Sequence, residues 1–301
     1  MFFELALKRP ITSLMLGAYI VVSCLLLEAY ASDVRILAPR GKIDPAHNYF
    51  VQLTRLVLSK SKKLYPDSKL IFMENKSISQ GRSLVLLDHD YVDIIWTGTN
   101  AQREFRYAPI RIPLFRGLLG YRVLLIRQED REKFLQIKTP TQLKKLNACQ
   151  GAHWPDSDIL EANGYLVSRI VHFNVMFKML AKKRCDYYPR AIFEGYAEQK
   201  VAMQHFPNIV LLDELILRYK FPFYYFVNKD NTELAQRLES GLMTALADGS
   251  LMELMKAHPV SKHLFPLTQW ENKRYFELSN SVLGINLSQR NEQFWLNLKA
   301  Q

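Results

Sequence analysis

The sequence predicts an α/β protein built as two lobes, and three observations carry that expectation. Apolar strands and amphipathic helices alternate over residues 34–96. After a strongly apolar strand at residues 121–126 the same rhythm starts again and runs to about residue 204. No long flexible linker separates the two runs, so they read as similar units packed side by side, with a ligand cleft between them.

The elements follow in order. Residues 34–37 form a strand, and residues 45–64 a helix with Phe50, Leu53, Leu56 and Val57 on one face. Residues 69–73 read as a strand, 77–87 as a helix and 92–96 as a strand that Gly98 ends. This βαβαβ order implies a parallel sheet covered by helices. In the second unit, 142–146 is a short helix, 148–151 a strand and 155–162 a helix. Pro155 suits the first position of that helix, and Gly164 suits the left-handed position past its end. A strand at 166–171 precedes a helix at 172–183, with Val175, Met176, Met179 and Leu180 inward. Its last turn holds Lys182, Lys183 and Arg184, where cations complement the dipole. A strand at 185–188, a helix at 191–204 and an aromatic strand at 221–227 come next. Leu234, Leu238, Leu242 and Leu246 then recur along a helix that Asp248-Gly249 breaks. Ser250 with Glu253 reads as a capping box opening the next helix.

The chain has 301 residues, 49% hydrophobic and 23% charged, a globular composition with enough length for a sizeable core. Lys8 and Arg9 precede an uncharged apolar run at 11–27, and Ala29-Tyr30-Ala31 follows as a cleavage site. That is a signal peptide over residues 1–31. An uncleaved anchor is a second reading. A third is a lipoprotein modified at Cys24, although Leu25-Leu26-Leu27 carries the apolar run past that cysteine. All three put the folded part outside the cytoplasm, in the periplasm.

The formal net charge is +11, but no long basic tract marks a nucleic-acid site. The Lys60-Ser61-Lys62-Lys63 run reads as a solvated helix end. The excess serves either solubility or the steering of anionic ligands. Cys149 and Cys185 could pair in an oxidising compartment, but two buried thiols on separate strands is the preferred reading. No Cys or His spacing calls for a metal, and GxSxG, HExxH, Walker and GxGxxG motifs are absent. Asp88-His89-Asp90 reads as a turn. The positive signals favour binding, without cofactor or metal.

Residues 92–130, VDIIWTGTNAQREFRYAPIRIPLFRGLLGYRVLLIRQED, resemble the family 3 extracellular solute-binding proteins of bacterial amino-acid transporters. Asp93, Gly98-Thr99, Arg103, Pro113-Leu114-Phe115, Gly117 and the strand at 121–126 carry the likeness in that order. Trp154-Pro155-Asp156, the stretch 185–190 and Glu194 resemble a proteobacterial subgroup of solute-binding-like proteins. The resemblance covers residue 32 to about residue 259. It implies the bilobal type II periplasmic-binding fold, with lobe one from 32–126 plus 221–301 and lobe two from 127–220. The strands at 121–126 and 221–227 would form the hinge.

By position, the resemblance makes Arg103 the residue that holds a ligand carboxylate with its planar fork. Thr97 and Thr99 would assist. The alternatives for Arg103 are a helix cap or a surface pair with Glu104. Trp96 stands where a small residue is usual, so it either shapes the cleft or packs a strand end. An acid is usual in this family after the second-lobe strand, but here Pro189-Arg190 follow Asp186-Tyr187-Tyr188. Either Arg190 joins Arg103 in holding a doubly acidic ligand, or Glu194, one turn on, neutralises it. Tyr49 is a further cleft candidate, followed by Gln80 and Arg82. In GAHWPDSDILEANG, Asp156 and Asp158 already compensate the helix dipole, which argues against a phosphate site. Trp154 is then a flat shelf with Asp156 as an acceptor beside it, or else a plug between helix and sheet.

The function these features imply is capture of a small polar solute, amino-acid-like or acidic, by hinge closure of a monomer serving an ABC transporter. A sensory module partnering a membrane signalling protein is the alternative. A dehydratase-like enzyme, with Glu194 or Asp156 as acid or base, is a third reading.

Overall fold

A computed structural model describes residues 33–39, 44–75, 78–281, 283 and 292–298. The expected signal segment and Cys24 lie outside those residues. Among the described residues no helix is long and apolar enough to cross a membrane.

The first lobe begins with β1 (Val34–Leu37), α1 (His47–Lys60) and β2 (Leu70–Met73), the two strands pairing in parallel. Phe50, Leu53 and Val57 bury the apolar face of α1, as its periodicity requires, and Leu56 is half-buried. α2 (Gln80–Val85) is shorter than its pattern. β3 (Ile95–Gly98) starts later than expected, beyond Asp93. The Asp93 carboxylate instead accepts from Arg35 Nε at 3.0 Å and Nη2 at 2.6 Å. α3 (Ala101–Arg106) and β4 (Ala108–Ile110) follow.

The parallel sheet expected of this unit is only partly formed. β10 (Phe223–Val227) runs antiparallel between β3 and β4. Its sequence FYYFV is buried at every position, so both its edges and both its faces need cover.

The second sheet has six strands. In chain order its unit comprises β5 (Tyr121–Arg127), α4 (Arg131–Leu135), α5 (Pro140–Leu143), β6 (Asn147–Gly151) and α6 (Pro155–Ala162). Next come β7 (Leu166–Ile170), α7 (Met176–Ala181), β8 (Tyr187–Ala191), α8 (Ile192–Ala202) and β9 (Ile209–Arg218). After β10 the chain forms α9 (Thr232–Ala247), α10 (Ser250–Ala257) and β11 (Arg274–Glu277). The strand order is β11-β9-β5-β8-β6-β7.

Four sequence expectations change here. β9, the longest strand, was not anticipated, because Asp213 and Glu214 interrupt its apolar pattern. Those carboxylates are satisfied by Lys273 at 2.9 Å and by Arg131. β11 pairs in parallel with β9, so part of the segment 221–301 assigned to lobe one extends the lobe-two sheet. Ser250 is the first residue of α10 rather than its cap, and Asp248 Oδ1 accepts its N–H at 3.0 Å and its hydroxyl at 2.7 Å. Cys149 and Cys185 form a disulfide instead of remaining thiols. Asp186 N donates to Asn147 O at 2.7 Å, which holds β6 beside the turn before β8 and brings the two Cα atoms to 5.5 Å.

Apolar packing continues from one lobe into the other. All seven residues of β5 are buried. Beside it, the Phe115 ring stacks on Phe193 of α8 with centroids 3.7 Å apart, and on Tyr49 of α1 at 4.0 Å. This three-ring stack ties α1 of lobe one to α8 of lobe two.

Replacing both cysteines of the buried bridge by alanine is expected to cost about 2–5 kcal/mol. The midpoint of denaturant unfolding reads the loss. Alkylation of unreduced, denatured protein is expected to label neither residue; labelling of both would disprove the bridge.

Candidate functional site

A cavity of about 90 Å³ lies in the cleft between the lobes. Its charged lining is Asp44 ahead of α1, Arg122 on β5, Asp156 on α6, Arg190 on β8, and Glu194 and Glu198 on α8. Aromatic walls come from Phe50, Trp96, Trp154, Phe173, Phe221 and Phe223.

Arg122 was not singled out from the sequence, yet it anchors the floor. It interrupts the apolar strand YRVLLIR and is 2% exposed, so it must find its partners inside the protein. Nη2 lies 2.5 Å from Asp156 Oδ1, and Nε donates to the Tyr219 hydroxyl at 3.0 Å. Tyr219 in turn donates to the same Asp156 oxygen at 2.5 Å. Nη1 stands 3.7 Å from Glu194 Oε2, and the guanidinium lies over the Phe221 ring at 5.5 Å. A base inside the otherwise apolar run at residues 121–126 was the available signal.

Arg190 is also spent on internal partners. Its fork meets Glu198 side-on, Nε to Oε2 at 2.7 Å and Nη2 to Oε1 at 2.6 Å. Glu194 Oε2 lies 2.9 Å from the same Nη2. Of the two sequence readings, neutralisation is the one the geometry realises. The principal partner is Glu198, which the sequence reading missed, two helical turns beyond Arg190. The guanidinium also lies over the Trp154 ring at 4.9 Å. Burial pushes the Glu198 carboxyl up to about 7, against the pull of Arg190.

Arg103 is neither a helix cap nor a surface partner of Glu104. It is 7% exposed, with Nη1 donating to Thr97 Oγ1 at 3.0 Å and to the Gly98 carbonyl. Nη2 donates to Gln80 Oε1 at 2.8 Å and to the His153 carbonyl at 2.9 Å. The last of these bonds crosses from lobe one to lobe two. Burial lowers its pKa to about 10. Asn100 caps α3 by accepting the Arg103 N–H, and Glu104 binds Arg111 at 2.9 Å. Thr99, expected beside Arg103, donates to Glu104 at 2.8 Å instead.

Trp96 takes both of its expected roles. It stacks on Phe50 at 5.5 Å and also lines the cavity. Trp154 likewise is both wall and plug. A Cβ on Gly151 would fall 2.3 Å from its ring, so glycine there is what lets the indole lie flat on β6. Tyr49 is not a cleft residue. It is fully buried against Phe115 and donates to the Leu114 carbonyl at 3.1 Å. Gln80 reaches the cleft and holds Arg103, whereas Arg82 is exposed outside the cavity lining. Among the described residues no group of three or more His, Cys, Asp or Glu side chains is placed to hold a metal.

Arg190→Met strands two carboxylates, and is expected to cost about 3–5 kcal/mol. The folded-state pKa of Glu198, already raised to about 7 beside the guanidinium, rises further without it. The folded form then binds more protons, so the variant loses stability as pH rises above about 4.3. The deficit relative to the parent, measured by denaturant unfolding, should therefore be larger at pH 8 than at pH 5. Equal deficits would contradict the ion-pair account.

No family model matches the chain, and no curated protein matches it. Solved structures do. A histidine kinase sensor domain with similarity to periplasmic binding proteins has a TM-score of 0.56 at 15% identity, covering 75% of this chain and 96% of that one. A Salmonella typhimurium periplasmic binding protein of high arginine specificity has a TM-score of 0.56 at 14% identity, covering 75% and 98%. An ancestral arginine-binding protein bound to arginine has a TM-score of 0.55 at 14% identity, covering 77% and 100%. Identities this low carry the architecture. With its two α/β lobes and the charged cleft between them, the chain has the type II periplasmic-binding-protein fold.

Proposed function

We propose that this protein is an extracytoplasmic solute-binding protein that captures a small polar ligand in the interlobe cleft by closure about the hinge, for delivery to a membrane transporter. One observation carries the reading: buried and half-buried charged side chains from lobe one, the hinge strand and lobe two line a single cavity. Evolutionary packing alone gives no reason to concentrate ion pairs there, since buried pairs contribute little net stability. A ligand recognised by charge does. Closure removes water from the cleft, which strengthens every charged hydrogen bond within it.

Arg103 supports closure. Its bond to the His153 carbonyl exists only when the lobes approach. Asp156 and Glu194, which an enzyme reading would need as acid or base, are both held by arginines, and this favours binding over turnover. The fold likeness to a kinase sensor domain favours, as a second reading, a sensory role with a membrane partner. The apolar N-terminal segment ending in Ala29-Tyr30-Ala31 and the disulfide both support an extracytoplasmic location.

Native mass spectrometry of the purified protein is expected to find a co-purified small molecule, lost on mild denaturation. Arg103→Ala is expected to keep the circular dichroism of the parent while raising its radius of gyration in solution scattering. An unchanged radius would remove Arg103 from the closure mechanism.

A further inference from the structure

We infer that the solute is a small organic cation without a carboxylate, an amine or guanidine, bound against Glu194 and the carboxylates around it. This deepens the solute-binding reading and rests on it. Three observations lead there.

The first is charge. Four carboxylates, of Asp44, Asp156, Glu194 and Glu198, face two guanidiniums, of Arg122 and Arg190, around the cavity. Even with Glu198 protonated, three carboxylates against two guanidiniums leave the cleft a surplus of negative charge, in a chain whose formal charge is +11. A positive ligand is the one this site attracts.

The second is the state of the arginines. A ligand carboxylate needs a guanidinium fork with open donors. Arg103 gives both terminal nitrogens to four protein acceptors. Arg190 gives its fork to Glu198. Arg122 gives Nη2 to Asp156 and Nε to Tyr219, and its Nη1 stands 3.7 Å from Glu194. A carboxylate entering the closed cleft would have to displace these internal acceptors and sit among like charges.

The third is Glu194. Its buried Oε2 is held by charge alone: Arg190 lies 2.9 Å and Arg122 3.7 Å away, and neither contact has hydrogen-bond geometry. A buried acceptor in this state gains from an N–H donor that a ligand supplies. The aromatic lining of the cavity, Trp96 and Phe221 among it, suits an organic cation rather than a hydrated metal ion. The cavity, about 90 Å³, suits a small ligand.

Calorimetry with amines and the α-amino acids that share their side-chain end decides the matter. The pairs are ethanolamine with serine, putrescine with ornithine, and agmatine with arginine. In at least one pair the amine is expected to bind about tenfold tighter or more than the amino acid. Glu194→Gln, checked for folding by circular dichroism, is expected to weaken that amine about tenfold. Equal or tighter binding of the amino acids overturns the inference. So does failure of all three amines to bind the parent protein. The fate of solute capture itself is separate: a carboxylate-bearing molecule found on the protein by native mass spectrometry would sink the cation and leave the capture of solutes standing.

Discussion

The buried pairing of arginine with carboxylate at the bottom of the cleft is the constraint around which the rest is arranged. Arg122 and Arg190 are buried, and neither could be there without Asp156, Glu194 and Glu198. Those acids come from α6 and α8, so the ion pairs dictate where both helices begin relative to β5 and β8. Tyr219 closes the arrangement by bonding both Arg122 and Asp156 as the chain leaves β9. Strand, helix and crossover are thus fixed to one another by polar contacts, while the Tyr49–Phe115–Phe193 stack does the same by apolar ones.

This arrangement changes the meaning of Arg103. In the resemblance it is the residue that meets the ligand. In the structure it meets the other lobe, through a carbonyl that stands where a ligand oxygen would otherwise be sought. On the function proposed, recognition then shifts from the lobe-one arginine toward the lobe-two helix α8.

The fold was legible because it rests on periodicity. The apolar face of α1, the Pro155 start of α6 and the Gly164 stop, at φ +79°, are local signals with local causes. β9 escaped because its two acids are paired by Lys273 and Arg131, partners distant in sequence, and β11 because a four-residue strand has little pattern to show. The candidate site was legible by half. Trp96, Trp154, Asp156, Arg190 and Glu194 do meet at the cleft. Arg122 and Glu198 were missed because an ion in an apolar strand, or on a helix with almost no amphipathic contrast, declares itself only through a partner that folding supplies. Tyr49 was misplaced because nearness to the ligand-facing end of β1 says nothing about which way a ring on α1 turns.

One further property follows from β11. The chain enters lobe two through β5, returns to lobe one through β10, and then sends the segment after α10 back across to lie along β9. Asn163 of lobe two receives the Ser279 N–H at 3.0 Å and donates to its carbonyl at 2.7 Å. These pairings all lie on lobe two, so the strap belongs to that lobe as one body. The stretch from α10 to β11 is thereby a third covalent crossing between the lobes, beside β5 and β10, and a cut anywhere in it would leave β11 with lobe two.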